Sequence, residues 1–283
     1  MKYKKIMVLC IYLIIVTVYI FMNYTDSVSV SNTQQCIHVP GVMYHSILKD
    51  ATRLGKYVIT PTQFENDIKY LTENGYTGIF ISDLINYIEK GTPLPEKPIL
   101  ITFDDGYYNN YLYAYPILQK YNTKAIFSII GKYSEQFSES GEENAYYTHI
   151  TWEQAKEMTD SGLVELQNHS YDLHSLEHRK GSRKLSGESD YDYQRMLYSD
   201  LHKTDALIYE NTGHKPTAFT YPFGFISPES KAVLREMGYK ASILAESGMN
   251  KISRENGDLY GLKRVNRPHG KSSEEFFKDV LKK

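Results

Sequence analysis

The 283-residue chain is poor in cysteine: Cys10 and Cys36 are its only two. Because Cys10 lies in an apolar run near the N-terminus, one thiol remains for the rest of the chain, and no internal disulfide bond can form there. The sequence also lacks an excess of basic residues, with 32 Lys and Arg against 34 Asp and Glu and a net charge of −2. A chain with this charge balance has no basic surface for binding a phosphate backbone, which argues against a nucleic-acid partner.

The longest hydrophobic run is near the N-terminus, where three lysines among the first five residues precede an almost wholly apolar segment from Ile6 to Met22. At 1.5 Å per residue, about twenty helical residues span the roughly 30 Å hydrocarbon core of a membrane, and the lysines favour a cytoplasmic N-terminus. A cleaved signal peptide is the alternative, but no A-x-A-like site follows. We expect residues 1–25 to be a cytoplasmic tip and membrane anchor or uncleaved signal, 26–36 a linker, and 37–283 one extracytoplasmic domain.

Strand and helix patterns alternate along this domain. Thr60, Pro61 and Gln63 are typical of a capped helix start. Such alternation favours a parallel sheet with helices outside, either open or closed into a barrel. The predicted strands are Gly78–Ile81, Ile99–Phe103, Ala125–Ile130, Leu163–Gln167, Ala218–Tyr221 and Ala241–Leu244. The predicted helices include Tyr111–Tyr121, Trp152–Ser161, Tyr191–Tyr209, Pro228–Met237 and one from Ser273.

Polar side chains follow three of these strands, where the chemistry of parallel folds is found. Asp104 and Asp105 follow the first, and His169 and His174 follow the second. The third is followed by the turn Thr-Tyr-Pro-Phe-Gly, residues 220–224. Asp-Asp-Gly or Pro-Phe-Gly alone is usually only a turn. Two histidines beside a carboxylate, however, form a three-ligand set with an open position, typical of catalytic zinc.

Together, TFDDG at residues 102–106 and HSYDLH at residues 169–174 resemble the motifs of polysaccharide deacetylases with a NodB homology domain, carbohydrate esterase family four. The resemblance implies that Asp104 is the catalytic base and Asp105 a metal ligand, and that the paired histidines are also ligands. The usual H-[ST]-x-x-H is one residue shorter. The longer form looks like the branch that deacetylates poly-N-acetylglucosamine in biofilms, and the resemblance implies a distorted (β/α) barrel of about seven parallel strands.

Hydrolysis of an acetamide needs a strong nucleophile, a stabilised oxyanion and a proton for the leaving amine. A divalent metal on Asp105, His169 and His174 would lower the pKa of bound water toward about 7 and polarise the acetyl oxygen. Zn²⁺ is expected, with Co²⁺, Ni²⁺ or Mn²⁺ as alternatives. Asp104 would take the proton of the water. The family pattern P-[YF]-G implies that the backbone N–H of Phe223 stabilises the oxyanion.

The sequence departs from the family in two places. The C-terminal L-x-x-H motif that usually carries the general acid is missing, and the resemblance to the biofilm branch favours His45 over His269 for this role. The Arg that usually opens the third motif is replaced by Thr220. Arg264 is a candidate to orient Asp104 instead, with a surface arginine as the equally weighted alternative.

The chain has 26 tyrosines beside one tryptophan. Lys, Asn and Ile are abundant with them, so codon bias explains most of this excess better than a sugar-stacking surface does. The tyrosines next to the proposed chemical residues are candidates for sugar contact: Tyr44, Tyr107, Tyr108 and Tyr171. His149 is expected in a surface loop, with a place lining the cleft as the alternative, and Trp152 is expected in the core.

These features predict a membrane-tethered, metal-dependent N-deacetylase that releases acetate from a GlcNAc-containing polysaccharide. Poly-N-acetylglucosamine and the glycan strands of peptidoglycan are both candidate substrates. A glycoside hydrolase that pairs Asp104 or Asp105 with a distant Glu is an alternative, but it leaves the histidines without a role. A catalytically inactive polysaccharide-binding module would be favoured only if a ligand were missing.

Overall fold

The computed structural model describes residues 14–19, 36–255 and 257–282. The chain from Ile37 onward forms a compact unit separate from the residues up to Cys36. Within the predicted apolar segment, residues 14–19 are helical. The rest of that segment and residues 26–35 of the predicted linker lie outside the described residues. Among the helices that the structure describes, none combines the length and apolar character needed to cross a bilayer.

The strands from Ile37 onward are β1 (Ile37–Tyr44), β2 (Ser46–Ile47), β3 (Val58–Ile59), β4 (Thr77–Gly78), β5 (Pro98–Phe103), β6 (Ala125–Ile129), β7 (Val164–Asn168), β8 (Ala218–Thr220), β9 (Ala241–Ile243), β10 (Met249–Ile252), β11 (Leu259–Leu262) and β12 (Val265–Asn266). The α-helices are α1 (Pro61–Glu73), α2 (Ile81–Lys90), α3 (Tyr115–Lys120), α4 (Gly131–Ser140), α5 (Trp152–Asp160), α6 (Asp190–Thr212), α7 (Ser230–Glu236) and α8 (Ser273–Val280). Short 3₁₀ turns cover Ala51–Arg53 and Pro222–Gly224, and a π-helical turn covers Asn110–Ala114.

The main sheet curls into a nearly closed barrel. Strands β1, β5, β6, β7, β8, β9 and β11 lie side by side in that order, each parallel to its neighbour. The chain runs from β11 almost directly into β12, which pairs in parallel with β1. One segment therefore contacts both edges of the sheet. Because β10 pairs antiparallel with β1, the sheet is mixed. The predicted α/β barrel is confirmed in this coarser form.

Apolar side chains of the strands pack against the helices outside the sheet, where Phe64 of α1 contacts both Tyr44 and Phe103. Every residue of β5 is buried, and the ring of Phe103 stacks on Tyr44 at 5.3 Å and on Phe127 at 4.5 Å. Trp152 is 8% exposed, which confirms its predicted place in the core. Aromatic pairs of this kind add about 0.5–1.5 kcal/mol each beyond their burial, and here they hold the ends of β1 and β5 against the surrounding helices.

The start of α1 is as predicted, because the Thr60 hydroxyl accepts a hydrogen bond from the N–H of Gln63 at 3.0 Å. The predicted strand Gly78–Ile81 is wrong beyond its first residue. Helix α2 already begins at Ile81, whose N–H donates to the buried carboxylate of Glu165 at 2.9 Å. An acidic partner at a helix N-terminus stabilises its unpaired N–H groups, and this one comes from β7, 84 residues away.

The predicted helix Tyr111–Tyr121 is interrupted, since its first turn is π-helical and its α-helical part is only α3. The sequence interpretation also missed α4 and the three short strands β10 to β12. The last two of these complete the barrel, and they are too short to give a periodic pattern.

Candidate active site

The loops at the carboxyl ends of β1, β5, β7 and β8 surround a cleft of about 600 Å³. Parallel strands carry their carboxyl ends to the same edge of a sheet, so loops distant in sequence meet there. The lining includes seven residues singled out from the sequence: His45, Asp104, Asp105, Tyr107, His169, His174 and Phe223.

Three side chains in this cleft form a cluster with the geometry of a metal site. Asp105 Oδ1 lies 3.3 Å from His169 Nε2 and 3.1 Å from His174 Nε2. The donor atoms all lie within 4.8 Å of one another. In a tetrahedral site with bonds of about 2.0 Å, donors are about 3.3 Å apart. Although the two histidine nitrogens are close to it, the buried Asp105 Oδ1 has no hydrogen-bond partner among the described residues. A buried carboxylate oxygen without a hydrogen bond, beside two nitrogen donors at this spacing, fits a divalent cation.

Neighbouring groups orient these donors. His169 Nδ1 lies 2.8 Å from the carbonyl oxygen of Thr220, which places the ring hydrogen on Nδ1 and leaves the Nε2 lone pair facing the cluster. Burial raises the pKa of Asp105, but its contacts with both histidines outweigh burial and hold the pKa well below its usual value. Asp105 has a φ of 70°, and Gly106 follows with a φ of 73°. A Cβ at Gly106 would lie 2.9 Å from the side chain of Ile129, so this tight turn requires glycine.

Asp104 forms a buried two-point ion pair with Arg264. Nη1 and Nη2 of Arg264 donate to Oδ1 and Oδ2 of Asp104 at 2.6 and 2.9 Å. The arginine is fixed further by hydrogen bonds to Thr102 Oγ1 and to the carbonyl of Leu244. Its side chain has no exposed surface, so the alternative of a surface arginine is wrong. Burial raises the pKa of Asp104, but the charge and hydrogen bonds of Arg264 outweigh burial and lower it overall.

The two histidines considered as general acid lie in different places. His45, directly after β1, lines the cleft, and its buried Nδ1 has no hydrogen-bond partner among the described residues. Its ring packs against Tyr57 at 4.7 Å. Burial lowers the pKa of His45, while the charges of Asp104 and Asp105 oppose this effect. His269 lies outside this lining, with Nδ1 2.8 Å from Gln63 Oε1.

Phe223 lies in the turn Pro222–Gly224 with a φ of 57°, and its ring is 4.2 Å from that of His174. A left-handed backbone is costly for a residue with a side chain and is held here by the surrounding turn. The N–H groups of Gly224 and Phe225 donate the hydrogen bonds that close the turn. Phe223 is 42% exposed at the rim of the cleft.

This arrangement agrees with comparisons to known proteins. Residues 91–242 match the family model described as polysaccharide deacetylase. The chain belongs to the polysaccharide deacetylase family. The family resemblance and the hydrolase activity predicted from the motifs are thereby confirmed.

Individual relatives cover most of the deacetylase. It is 30% identical over 245 residues to YxkH of Bacillus subtilis, named as a polysaccharide deacetylase, with 86% of this chain and 76% of that protein covered. It is 28% identical to the poly-beta-1,6-N-acetyl-D-glucosamine N-deacetylase of Staphylococcus aureus, with 74% and 67% covered. The structure of IcaB from Ammonifex degensii aligns with a TM-score of 0.68 and 26% identity over 82% of this chain and 92% of that one.

Of the four tyrosines proposed to contact sugar, only Tyr107 lines the cleft of the deacetylase. Tyr44, Tyr108 and Tyr171 instead donate their hydroxyls to Asp67, Glu143 and Glu135. Buried or half-buried phenols take the nearest carboxylate as a partner, and proximity in sequence to the motifs does not direct them into the cleft. The sequence interpretation also missed three residues of the rim, which come from segments without a motif: Arg53, Tyr57 and Tyr146.

His149 is not a surface residue, contrary to the sequence-based expectation. It is 7% exposed and packs within 4.8 Å of the rings of Tyr107 and Tyr133. Burial lowers the pKa of His149 to about 4, although the charge of Asp105 opposes the shift. The imidazole is therefore neutral in the folded deacetylase at neutral pH.

This burial predicts a pH-dependent loss of stability. The folded pKa of His149 lies below the unfolded value of about 6.5, so the unfolded chain binds more protons as the pH falls from about 6.5 to about 4, and folding stability falls over that range. We expect His149→Phe to remove about 2–2.5 kcal/mol of the loss between pH 7 and pH 4.5. Urea unfolding of both proteins with a chelator present, at pH 7 and near pH 4.5, measures it. Equal losses in both proteins would contradict the assignment.

Proposed function

We propose that the deacetylase removes N-acetyl groups from GlcNAc residues of a cell-surface or extracellular polysaccharide, releasing acetate and leaving glucosamine. The observation that supports this proposal is the meeting of Asp104, His45 and an open three-ligand cluster in one cleft. The S. aureus relative is named for poly-beta-1,6-N-acetyl-D-glucosamine, which favours that polymer as the substrate. Peptidoglycan glycan strands are the second candidate.

Asp105, His169 and His174 would hold the divalent metal, and their nitrogen and oxygen donors fit Zn²⁺, with Co²⁺, Ni²⁺ or Mn²⁺ as alternatives. Such an ion supplies Lewis-acid chemistry, which acidifies water and polarises a carbonyl. Asp105 and the His169 ring are almost wholly buried and so shielded from bulk water, whereas the His174 side chain is 20% exposed.

Asp104 accepts the proton of the attacking water. The ion pair with Arg264 keeps its carboxylate ionised, and each oxygen retains a second lone pair after accepting from the guanidinium. Since Arg264 holds both oxygens, the carboxylate cannot turn away from the cleft. Arg264 is thus a positioning residue, and it takes the place of the missing arginine of the third motif.

His45, which lines the same cleft, delivers the proton to the leaving amine. Burial lowers the pKa of His45 overall, which makes its protonated form a stronger acid toward the leaving amine, while the carboxylates of Asp104 and Asp105 oppose the shift. The N–H of Phe223 stabilises the negative charge that develops on the acetyl oxygen, a contribution that is about 2.7–4 kcal/mol for a single donor in comparable sites. Tyr107 lines the same cleft and is the tyrosine proposed to contact the sugar.

A matched pair of substitutions tests the assignment of the acid. We expect His45→Gln to lower kcat by about 10²–10⁴-fold, because the amine then leaves without a positioned proton donor. We expect His269→Gln to stay within about twofold of the unchanged protein, because His269 bonds to Gln63 outside the cleft. Acetate release under saturating substrate measures both. The reverse order would assign the acid to His269.

The proposed function is tested by acetate release from poly-β-1,6-N-acetylglucosamine, chitin oligomers and peptidoglycan, together with the metal content of the purified protein. We expect acetate from the first polymer at the highest kcat/KM and loss of activity with a chelator. Faster release from peptidoglycan would change the substrate class. Shortened oligomers without acetate would indicate a glycoside hydrolase, and binding without either product would indicate an inactive module.

We further propose that residues 37–283 form the catalytic domain, that residues 6–22 anchor it in the cell membrane, and that residues 26–36 link the two so that catalysis takes place outside the cytoplasm. The lysines before the apolar segment support this orientation. Fractionation of cells that produce the full chain tests it: the protein should stay with membranes after alkaline washing. Release of a shortened protein into the medium would favour signal cleavage.

A further inference from the structure

The loop between His169 and His174 is held by hydrogen bonds to most of its backbone groups. The N–H groups of Tyr171 and Asp172 both donate to the carboxylate of Asp200, each at 2.8 Å. The N–H of Ser170 donates to Asn168 Oδ1 at 2.7 Å. On the opposite side, the carbonyl oxygens of Ser170 and Tyr171 accept from the N–H groups of Gly131 and Lys132 at the start of α4.

This loop requires such support because its backbone is strained. Ser170 has a φ of 77°, a left-handed conformation that costs a residue with a side chain about 1–3 kcal/mol. The loop also contains one residue more than the spacing usual in the family, so the second histidine has more ways to leave the cluster. An acceptor that binds two consecutive N–H groups of the loop restricts its backbone and therefore the position of His174.

Asp200 supplies this acceptor from a rigid element. It lies in the middle of the 23-residue helix α6, between the fully buried Leu197 and Leu201. The same helix anchors the other end of the loop, since Asn168 donates to the Leu201 carbonyl at 2.9 Å and to Asp205 Oδ1 at 2.8 Å. The position of His174 relative to Asp105 therefore depends on α6 as well as on the barrel.

We propose that Asp200 is a positioning residue, whose carboxylate fixes the backbone between His169 and His174 and thereby sets the affinity of the three-ligand cluster for a divalent metal. This inference rests on the metal site of the proposed function. Partners that orient metal ligands typically change affinity by about 10–100-fold when they are lost, although they do not touch the metal.

Zn²⁺ affinity of the purified protein, measured by competition with a chelator, tests the proposal without an activity assay. We expect Asp200→Asn to raise the Zn²⁺ dissociation constant about 10–100-fold, because the amide replaces one acceptor oxygen with a donor. Glu210→Gln is the matched control. It removes the same charge from an exposed position of the same helix and should leave the constant unchanged.

Amide hydrogen exchange at Tyr171 and Asp172 separates positioning from a pure charge effect. Asp200→Glu keeps the charge but lengthens the side chain. Of Asp200→Asn and Asp200→Glu, the variant that loses more amide protection should also lose more Zn²⁺ affinity. The absorption bands of the Co²⁺-loaded protein should shift more in that variant as well.

A fall in affinity with protection retained would overturn the proposal, as would unchanged affinity in Asp200→Asn. If the unchanged protein binds neither Zn²⁺ nor Co²⁺, the metal site of the proposed function is wrong instead.

Discussion

Asp104→Asn is expected to lower kcat for acetate release by about 10²–10⁴-fold while the bound metal stays the same. The carboxamide cannot accept the proton of the attacking water, yet it occupies the same volume and leaves the ligand cluster intact. The neighbouring Asp105→Asn is the matched control, because it makes the same chemical change in a proposed ligand and should lose the metal itself. Metal analysis and acetate release on both variants measure the difference. A kcat within about threefold of the unchanged protein would contradict the role of Asp104.

The fold of Asp104→Asn must be checked separately, because Arg264 then lacks its counter-charge. Removing one partner of a buried ion pair costs about 3–5 kcal/mol. The double variant Asp104→Asn, Arg264→Met removes the unpaired charge as well, and we expect it to regain stability but no activity. If the double variant regains activity, the loss in the single variant came from misfolding and not from the missing base.

The second large effect is expected at the buried pair of Asp67 and Arg267, neither of which lines the cleft. Both side chains have no exposed surface, and Arg267 donates to the carboxylate from Nε at 2.8 Å and from Nη2 at 2.9 Å. The Ser273 hydroxyl at the start of α8 donates to the same carboxylate. We expect Asp67→Asn to lower the free energy of unfolding by about 3–5 kcal/mol, measured from the urea midpoint at constant slope.

Two comparisons define the cause of that loss. Asp67→Leu combined with Arg267→Met should recover part of it, because the unpaired buried charge is removed while the Tyr44 hydroxyl still loses its acceptor. Asp160→Asn, which breaks an exposed pair with Lys156, should change stability by less than about 1 kcal/mol. If Asp67→Asn behaves like the surface variant, the buried pair does not stabilise the barrel.

Secondary structure was predictable from the sequence where a few neighbouring residues determine it. Thr60, Pro61 and Gln63 determine the start of α1, and an unbroken apolar run predicts β5, because capping and burial act over a few neighbouring residues. Only the start of α2 was misplaced, because the group that caps its first N–H groups, the Glu165 carboxylate, comes from another strand. Strands β11 and β12 were not predicted, because they are defined by their pairing with β9 and β1 at the two edges of the parallel sheet.

The sequence by itself determined the chemistry that is available: two adjacent aspartates after a buried strand, two histidines five positions apart, and a histidine at the end of β1. These motifs pointed to the family because their combination is specific. Only the tertiary structure decided which partners these groups have. Arg264 reaches Asp104 from 160 residues away, His149 is buried, His269 is outside the cleft, and Asp200 holds the ligand loop. The physical reason is that burial and pairing depend on which segments the barrel brings together, and neither motif nor periodicity encodes distance across a fold.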